Sequence, residues 1–263
     1  MKINFLQKGY NSVHRLISKN FVKNNFEIKN NKAIISFTFD DFPESATKIG
    51  LELLEKYGVK ATYYISFGLI NKDTETGRIA GIDDIKRIVE KGNDLGCHTF
   101  NHMGAYEQSS VSFENSLIDN NKFLKYKFPG MNFSVFSYPR GQVNLKAKRI
   151  VRKYFRCSRG IVPGINSGII DLNLLKGTRL YGNESNFSWS KKFIDQNEKE
   201  NGWLIFYTHD ISPDLTPYGC TQELFEKVLK YSKESGAMIL NIEEACNALK
   251  IPKINLNSNA TTN

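Results

Sequence analysis

Residues 34–41 read Ile-Ile-Ser-Phe-Thr-Phe-Asp-Asp. A run rich in apolar, aromatic and β-branched side chains stops at two adjacent carboxylates, as a buried strand does where its C-terminal end reaches polar surroundings. Ser45–Tyr57 then carries a helical pattern that Gly58 closes, and Lys60–Ser66 (K-A-T-Y-Y-I-S) reads as the next strand. Strand, helix and strand in about thirty residues make a parallel βαβ unit.

Outward from this unit the rhythm continues. Helices are expected at Ile82–Lys91, Ser110–Tyr126, Leu145–Tyr154, Phe187–Lys199, Thr221–Glu234 and Ile242–Leu249. Strands are expected at Asp94–Thr99, Asn132–Tyr138, Phe155–Arg159, Leu175–Leu180, Trp203–Tyr207 and Met238–Asn241. Seven or eight units are enough to close an α/β barrel, and the chain's 263 residues fit one such domain. An open doubly wound sheet is the alternative; the lack of a Gly-rich phosphate loop after the first strand lowers it. The expected organisation is an N-terminal helical arm over 1–31, one barrel over 32–252 and a disordered polar tail over 253–263.

Charged residues make up 24% and aromatics 12% of the chain, which excludes a mostly disordered protein. No apolar run approaches the roughly 20 residues of a membrane span. The first 30 residues lack a continuous apolar block, which argues against a secretory signal peptide and for a cytoplasmic protein with reduced thiols. Cys97, Cys157, Cys220 and Cys246 form no C-x-x-C pair and read as buried structural residues.

The net charge of +9 is uneven: residues 1–32 hold seven basic residues and one acid, leaving +3 for the other 231. No basic stripe in the body suggests a nucleic-acid partner. In residues 1–25, Leu6, Tyr10, Val13, Ile17 and Phe21 share one helical face, with Lys8, Arg15, Lys19 and Lys23 on the opposite faces. Such a helix either closes one end of the domain or lies peripherally on an anionic membrane surface, here its inner face.

The chemistry-bearing residues collect where predicted strands end. Asp40 and Asp41 follow the first strand. His98 and His102, in H-T-F-N-H, stand at the end of the strand expected at Asp94–Thr99; a spacing of four lets two imidazoles meet one metal ion. Phe136–Gly141 (F-S-Y-P-R-G) ends another strand, and Trp203–His209 (W-L-I-F-Y-T-H) delivers a third histidine. Taken singly, each has an ordinary structural reading as a cap, a turn or a satisfied histidine. Together they mark one rim, the C-terminal end of a parallel barrel, where active sites are built. Two imidazoles and one carboxylate leave a position open on a metal for water, while the other carboxylate stays free to take a proton.

At this point the sequence resembles the polysaccharide deacetylase family, the NodB-like carbohydrate esterases of family 4. Thr38–Asp41 (T-F-D-D) resembles its first motif, His98–His102 its second, H-[ST]-x-x-H, and Phe136–Gly141 a Y-P-x-G variant of its third. Tyr207-Thr208-His209 stands where L-x-H is expected. The resemblance implies a distorted (β/α)₇ barrel and hydrolysis of N-acetyl groups on sugars, in particular in cell-surface polysaccharide biosynthesis. It implies Asp41, His98 and His102 as ligands of one divalent metal, zinc first, with cobalt, manganese or iron as alternates. Asp40 would be the general base and His209 the general acid, with an oxyanion donor among the backbone N–H groups near Tyr138.

Departures from the pattern are specific. Ser137 falls where the usual third motif has an arginine that orients the base, and Arg140 where an aromatic is common. Arg179, in K-G-T-R-L, is the expected substitute, and Asp171 the candidate for the carboxylate that tunes the acid histidine. Tyr138, Pro139, Arg140 and Tyr207 are expected to line the substrate pocket. Hydrolysis of another amide (a formamide or a cyclic ureide) and a non-catalytic membrane-docking role are the alternatives.

Overall fold

A computed structural model describes residue 13 and residues 17–214 and 216–254. Its centre is a parallel sheet that begins with β2 (Ile34–Asp40), after a short β1 (Asn25–Glu27). The remaining strands in chain order are β3 (Thr62–Ile65), β4 (Asp94–Cys97), β5 (Val135–Ser137), β6 (Cys157–Arg159), β7 (Ile169–Asp171), β8 (Thr178–Arg179), β9 (Trp203–Thr208) and β10 (Met238–Ile239). The main path runs β8-β9-β2-β3-β4-β5-β6, and β10 pairs with the start of β2. The chain between β7 and β8 brings the two edges together: Leu175 bridges to Arg159 in parallel, and β8 three residues on pairs with β9. A distorted seven-strand barrel results, as the residue rhythm and the resemblance imply.

All seven residues of β2 are buried, as in a strand covered on both faces. Its period of two sorts them. Ile35, Phe37 and Phe39 face the helices, where Phe37 and Phe39 meet Phe225 at 5.8 and 5.7 Å between ring centroids. Ile34, Ser36, Thr38 and Asp40 lie on the other face. There the Trp203 indole donates to Ser36 Oγ (2.9 Å) and Thr38 Oγ1 donates to Phe206 O (2.8 Å). The inner face thus grows steadily more polar toward its C-terminal end. Its opposite end is filled by Ile34, Trp203 and Ile205 packed against Ile242, Ala245 and Cys246 of the last helix.

The helices are α1 (Leu51–Tyr57), α2 (Ile82–Glu90), α3 (Ser110–Lys127), α4 (Leu145–Val151), α5 (Phe187–Glu200), α6 (Gln222–Glu234) and α7 (Ile242–Ala248). A π-turn at Ala46–Gly50 precedes α1, which stops where Gly58 takes φ +63 and its N–H bonds Glu55 O. Asn241 and Glu244 cap α7 reciprocally.

Two pairings lie outside the expected rhythm: a small hairpin of Asp73–Thr74 with Gly77–Arg78, and the antiparallel pair β1–β7. The latter ties residues 25–27 to the barrel. Leu6, Tyr10 and the tail from residue 255 lie outside the described residues, whereas Val13 and Ile17–Asn20 are helical. No helix among the described residues is long and apolar enough to cross a membrane. All four cysteines are free and buried, with Cys157 Sγ 3.6 Å from Cys246 Sγ.

Candidate active site

β2 ends in a reversal that splits the two carboxylates. Phe42 N–H donates to Asp40 O (2.5 Å), and Asp41 is held at φ +55, a left-handed conformation rare outside glycine. Asp40 turns inward and Asp41 turns toward the next loop. There His98 leaves β4 with its N–H on Ile65 O (3.0 Å). The segment to His102 is an irregular loop, not a helix, with Thr99 at φ +61 and His102 at φ +56. The close approach of Gly68 holds this loop: its N–H bonds Phe100 O (2.8 Å), and a Cβ there would stand 2.2 Å from Asn101 Oδ1.

Asp41, His98 and His102 offer ligand atoms that lie within 4.8 Å of one another. His98 Nε2 is 3.9 Å from Asp41 Oδ1, and His102 Nε2 is 3.5 Å from Asp41 Oδ2. Ser137 O accepts from His98 Nδ1 (2.8 Å), which leaves Nε2 as the free lone pair facing Asp41.

The cluster lacks positive charge. Burial pulls His98 down to about 3, assisted by His102, and pulls His102 down to about 4, assisted by Arg140. Burial pushes Asp41 up to about 7, with Asp40 adding to the rise. Asp41 Oδ1 is buried without a hydrogen-bond partner. An orphaned carboxylate oxygen facing two neutral imidazoles is the donor set of a divalent cation, so the residues fit a metal.

Asp40 sits beside this cluster in a different environment. Burial alone would raise its carboxyl. The guanidinium of Arg159 outweighs that, with smaller pulls from His98 and His209, and holds it below the usual carboxylate value. Arg159 ends β6 and is 1% exposed. Its Nη2 donates to Asp40 Oδ1 and to Ser137 Oγ (2.7 Å), and its Nη1 donates to Gly160 O (3.0 Å). The guanidinium lies between the rings of Tyr64 and Tyr207, 5.2 and 4.7 Å from their centroids.

His209 follows β9 on the same rim. Its Nδ1 lies 3.1 Å from Tyr218 O, a group that only accepts, so Nδ1 carries a proton there. The Tyr181 hydroxyl is 3.4 Å from the same nitrogen, and its ring packs edge-on against Tyr207.

This geometry repeats the four strand-end positions with one family's residues in them. Residues 27–155 match the family model described as polysaccharide deacetylase. That stretch belongs to the polysaccharide deacetylase family. It is 31% identical over 101 residues to a peptidoglycan-N-acetylglucosamine deacetylase of Bacillus cereus, covering 38% of this chain and 44% of that one. It is 34% identical over 87 residues to a bifunctional xylanase/deacetylase of Pseudobutyrivibrio xylanivorans, covering 33% and 13%. The matched stretch therefore spans less than half the length of either relative. Two solved structures share the fold. The Xyl-CE4 domain of a multidomain xylanase from the hindgut metagenome of Trinervitermes trinervoides has a TM-score of 0.60, 19% identity and coverage of 84% and 93%. A family 4 acetyl xylan esterase from Clostridium thermocellum, in complex with a cobalt ion, has a TM-score of 0.57, 21% identity and coverage of 83% and 93%.

Asp40, Asp41, His98, His102 and Tyr207 thus gather at one mouth with His209. Other expectations are corrected. Arg179 is exposed and stacks over Trp189 (5.7 Å); the arginine that binds Asp40 is Arg159. Asp171 pairs with Lys148 on the flank (2.6 Å), and the group at His209 Nδ1 is the Tyr218 carbonyl. Tyr138 is a core residue: its ring packs on Phe136 and its hydroxyl donates to Asn173 O (3.0 Å). Its N–H is spent on Arg159 O (3.0 Å) and is closed to an oxyanion. Pro139 is buried, and Arg140, at φ +57, is exposed and paired with Glu107. Arg159 and Tyr181 were missed. For Arg159 a signal existed: it ends a predicted strand on the same rim as Asp40, His98 and His209.

Proposed function

We propose that this protein is a metal-dependent carbohydrate N-deacetylase that hydrolyses the acetamide of an N-acetylated sugar or oligosaccharide destined for a cell-surface glycan. The observation that carries the reading is the division of the two adjacent carboxylates. Asp40 is held ionised by Arg159, while Asp41 is turned away to face two neutral imidazoles. The relatives named as deacetylases of peptidoglycan N-acetylglucosamine support the acetamido sugar.

Asp41, His98 and His102 would hold the ion, zinc first. When bound there, a divalent cation acidifies water toward a pKa of about 7 and polarises the amide carbonyl. Asp40 takes the proton of the attacking water as its oxygen bonds to the acetyl carbon. His209 then gives a proton to the sugar nitrogen as the carbon–nitrogen bond breaks, so acetate and a free amine leave. Proline has no N–H, so the Arg140 N–H is the next backbone donor in this turn, and we assign it to the developing oxyanion. Tyr207 forms the wall of the acetyl pocket.

The test is acetate release from N-acetylglucosamine oligomers by zinc- or cobalt-loaded protein, beside Asp40→Asn. Release by the parent and loss in the variant, with metal content unchanged, supports the reading. An Asp40→Asn enzyme at near-parent rate removes Asp40 as the base. Formate release from a formamido sugar, without acetate release, would move the acyl group to the second reading.

A further inference from the structure

The described part of the N-terminal helix is seated the wrong way round for a helix that closes a barrel. Ser18, a polar residue, is fully buried, and its hydroxyl donates to Val143 O (2.9 Å). Val13 and Phe21 are 56% and 60% exposed, and Ile17 lies exposed between them in steps of four. Phe21 N–H bonds Ile17 O (3.1 Å), so these two share one helical face, and Val13, itself helical, stands four residues before Ile17. The seat is not loose: buried Lys148 donates to Ser18 O (2.7 Å) and Phe21 O (3.0 Å). Among the described residues of this segment the barrel therefore holds Ser18 and leaves Val13, Ile17 and Phe21 outward.

The place of this face follows from the topology. Val143 lies just past the turn after β5, on the rim that carries the site. Three further exposed apolar side chains stand near strand ends on that rim, Met103 directly after His102, Val162 after β6 and Tyr218 beside His209, while Val111 and Tyr126 on α3, Trp189 on α5 and Ile169 on β7 are exposed as well. Exposed Lys19 and Lys23 lie off the stripe, on other faces, and residues 1–32 hold +6 of the chain's +9. Apolar residues in steps of four on one face with lysines on the others are the composition of a helix that lies in an anionic lipid interface.

We propose that the helical face of Val13, Ile17 and Phe21 docks the protein on an anionic bilayer surface, with the rim of the barrel on the side toward the lipid. The docking stands apart from the deacetylase reading, since it needs neither metal nor turnover.

Co-sedimentation of the full chain with phosphatidylglycerol–phosphatidylcholine vesicles tests it, with phosphatidylcholine vesicles as the neutral control. The parent is expected to bind the anionic vesicles and to be released by salt. Ile17→Ser with Phe21→Ser should lower partitioning by about tenfold or more, from the lost apolar burial. Lys19→Gln with Lys23→Gln should lower it about fivefold per lysine on anionic vesicles and leave neutral vesicles unaffected. All four positions are exposed, so parent-like circular dichroism and parent-like rates on a soluble oligosaccharide are expected. A parent that stays in the supernatant at low salt, or a serine double variant that binds as the parent does, overturns the proposal. A dimer in light scattering that the serine variant dissolves would assign the face to a second copy and equally overturn it.

Discussion

The pair Asp171–Lys148 on the flank of the barrel and the pair Asp40–Arg159 at its mouth have the same ingredients, a buried cation and a carboxylate beside it. On the flank, every group is used. Lys148 spends its three donors on Asp171 (2.6 Å), Ser18 O and Phe21 O, and Asp171 Oδ1 also accepts from Asn24 N (2.9 Å) and Asn173 N (3.0 Å). At the mouth, Arg159 binds one oxygen of Asp40 and divides its remaining bonds between Ser137 and Gly160. Among the described residues no donor is recorded for the second Asp40 oxygen. The first pair is closed and can only hold the N-terminal segment in place. The second is open, charged and oriented, which is what a base requires.

The sharpest break of this contrast is Asp40→Asn. It keeps the shape and removes the proton acceptor, so kcat should fall by about 10²–10⁴ while metal content and melting temperature hold. The matching Asp171→Asn should leave kcat unchanged and lower the melting temperature. If both lower kcat alike, the distinction between open and closed pairs is wrong.

Arg159→Met comes next. It strands a buried carboxylate, at a cost of about 3–5 kcal/mol in stability by denaturant titration. It should also move the acidic limb of kcat/KM to higher pH. The sign follows from Asp40: its folded value lies below 3.8, so its contribution to stability is present above that pH and is lost as pH falls through the folded value. Removing Arg159 raises the folded value and withdraws that contribution.

Lys148→Met should destabilise by about 1–3 kcal/mol, because Asp171 keeps two backbone donors and some access to water. The pH profile of kcat/KM should not move. A shifted profile would mean that the flank communicates with the mouth.

The smallest effect concerns the metal. Asp41 stands near 7 in the absence of an ion, whereas His98 and His102 stand near 3 and 4. A proton and a cation compete for Asp41 below about pH 7, and neither histidine competes until pH 5 or lower. Zinc affinity should fall about fivefold from pH 7 to pH 6, with about half a proton released on binding at pH 7 and about one at pH 6, as calorimetry in two buffers would read.

Much of this was legible in the sequence. β2, β9 and the helices between them announce themselves by periodicity, because burial on both faces and on one face leaves different patterns. Asp40, Asp41, His98 and His209 were found by where strands end. The short pieces were not legible. β1, β7 and the hairpin at 73–78 are two or three residues each, and partners more than a hundred residues away select β1 and β7. Tyr138 was misread because a residue at a strand end can point into the core as easily as into the mouth. Arg179 was misread because its position on the rim is right while its side chain turns outward to Trp189.

Arg159 carries a consequence for how such chains are classified. The arginine that the third motif usually supplies is replaced at Ser137, and a guanidinium from the neighbouring strand fills the space, hydrogen-bonded to that same serine. Read motif by motif, the chain lacks that arginine. Read by position in space, Asp40 still has a guanidinium beside it, supplied by β6.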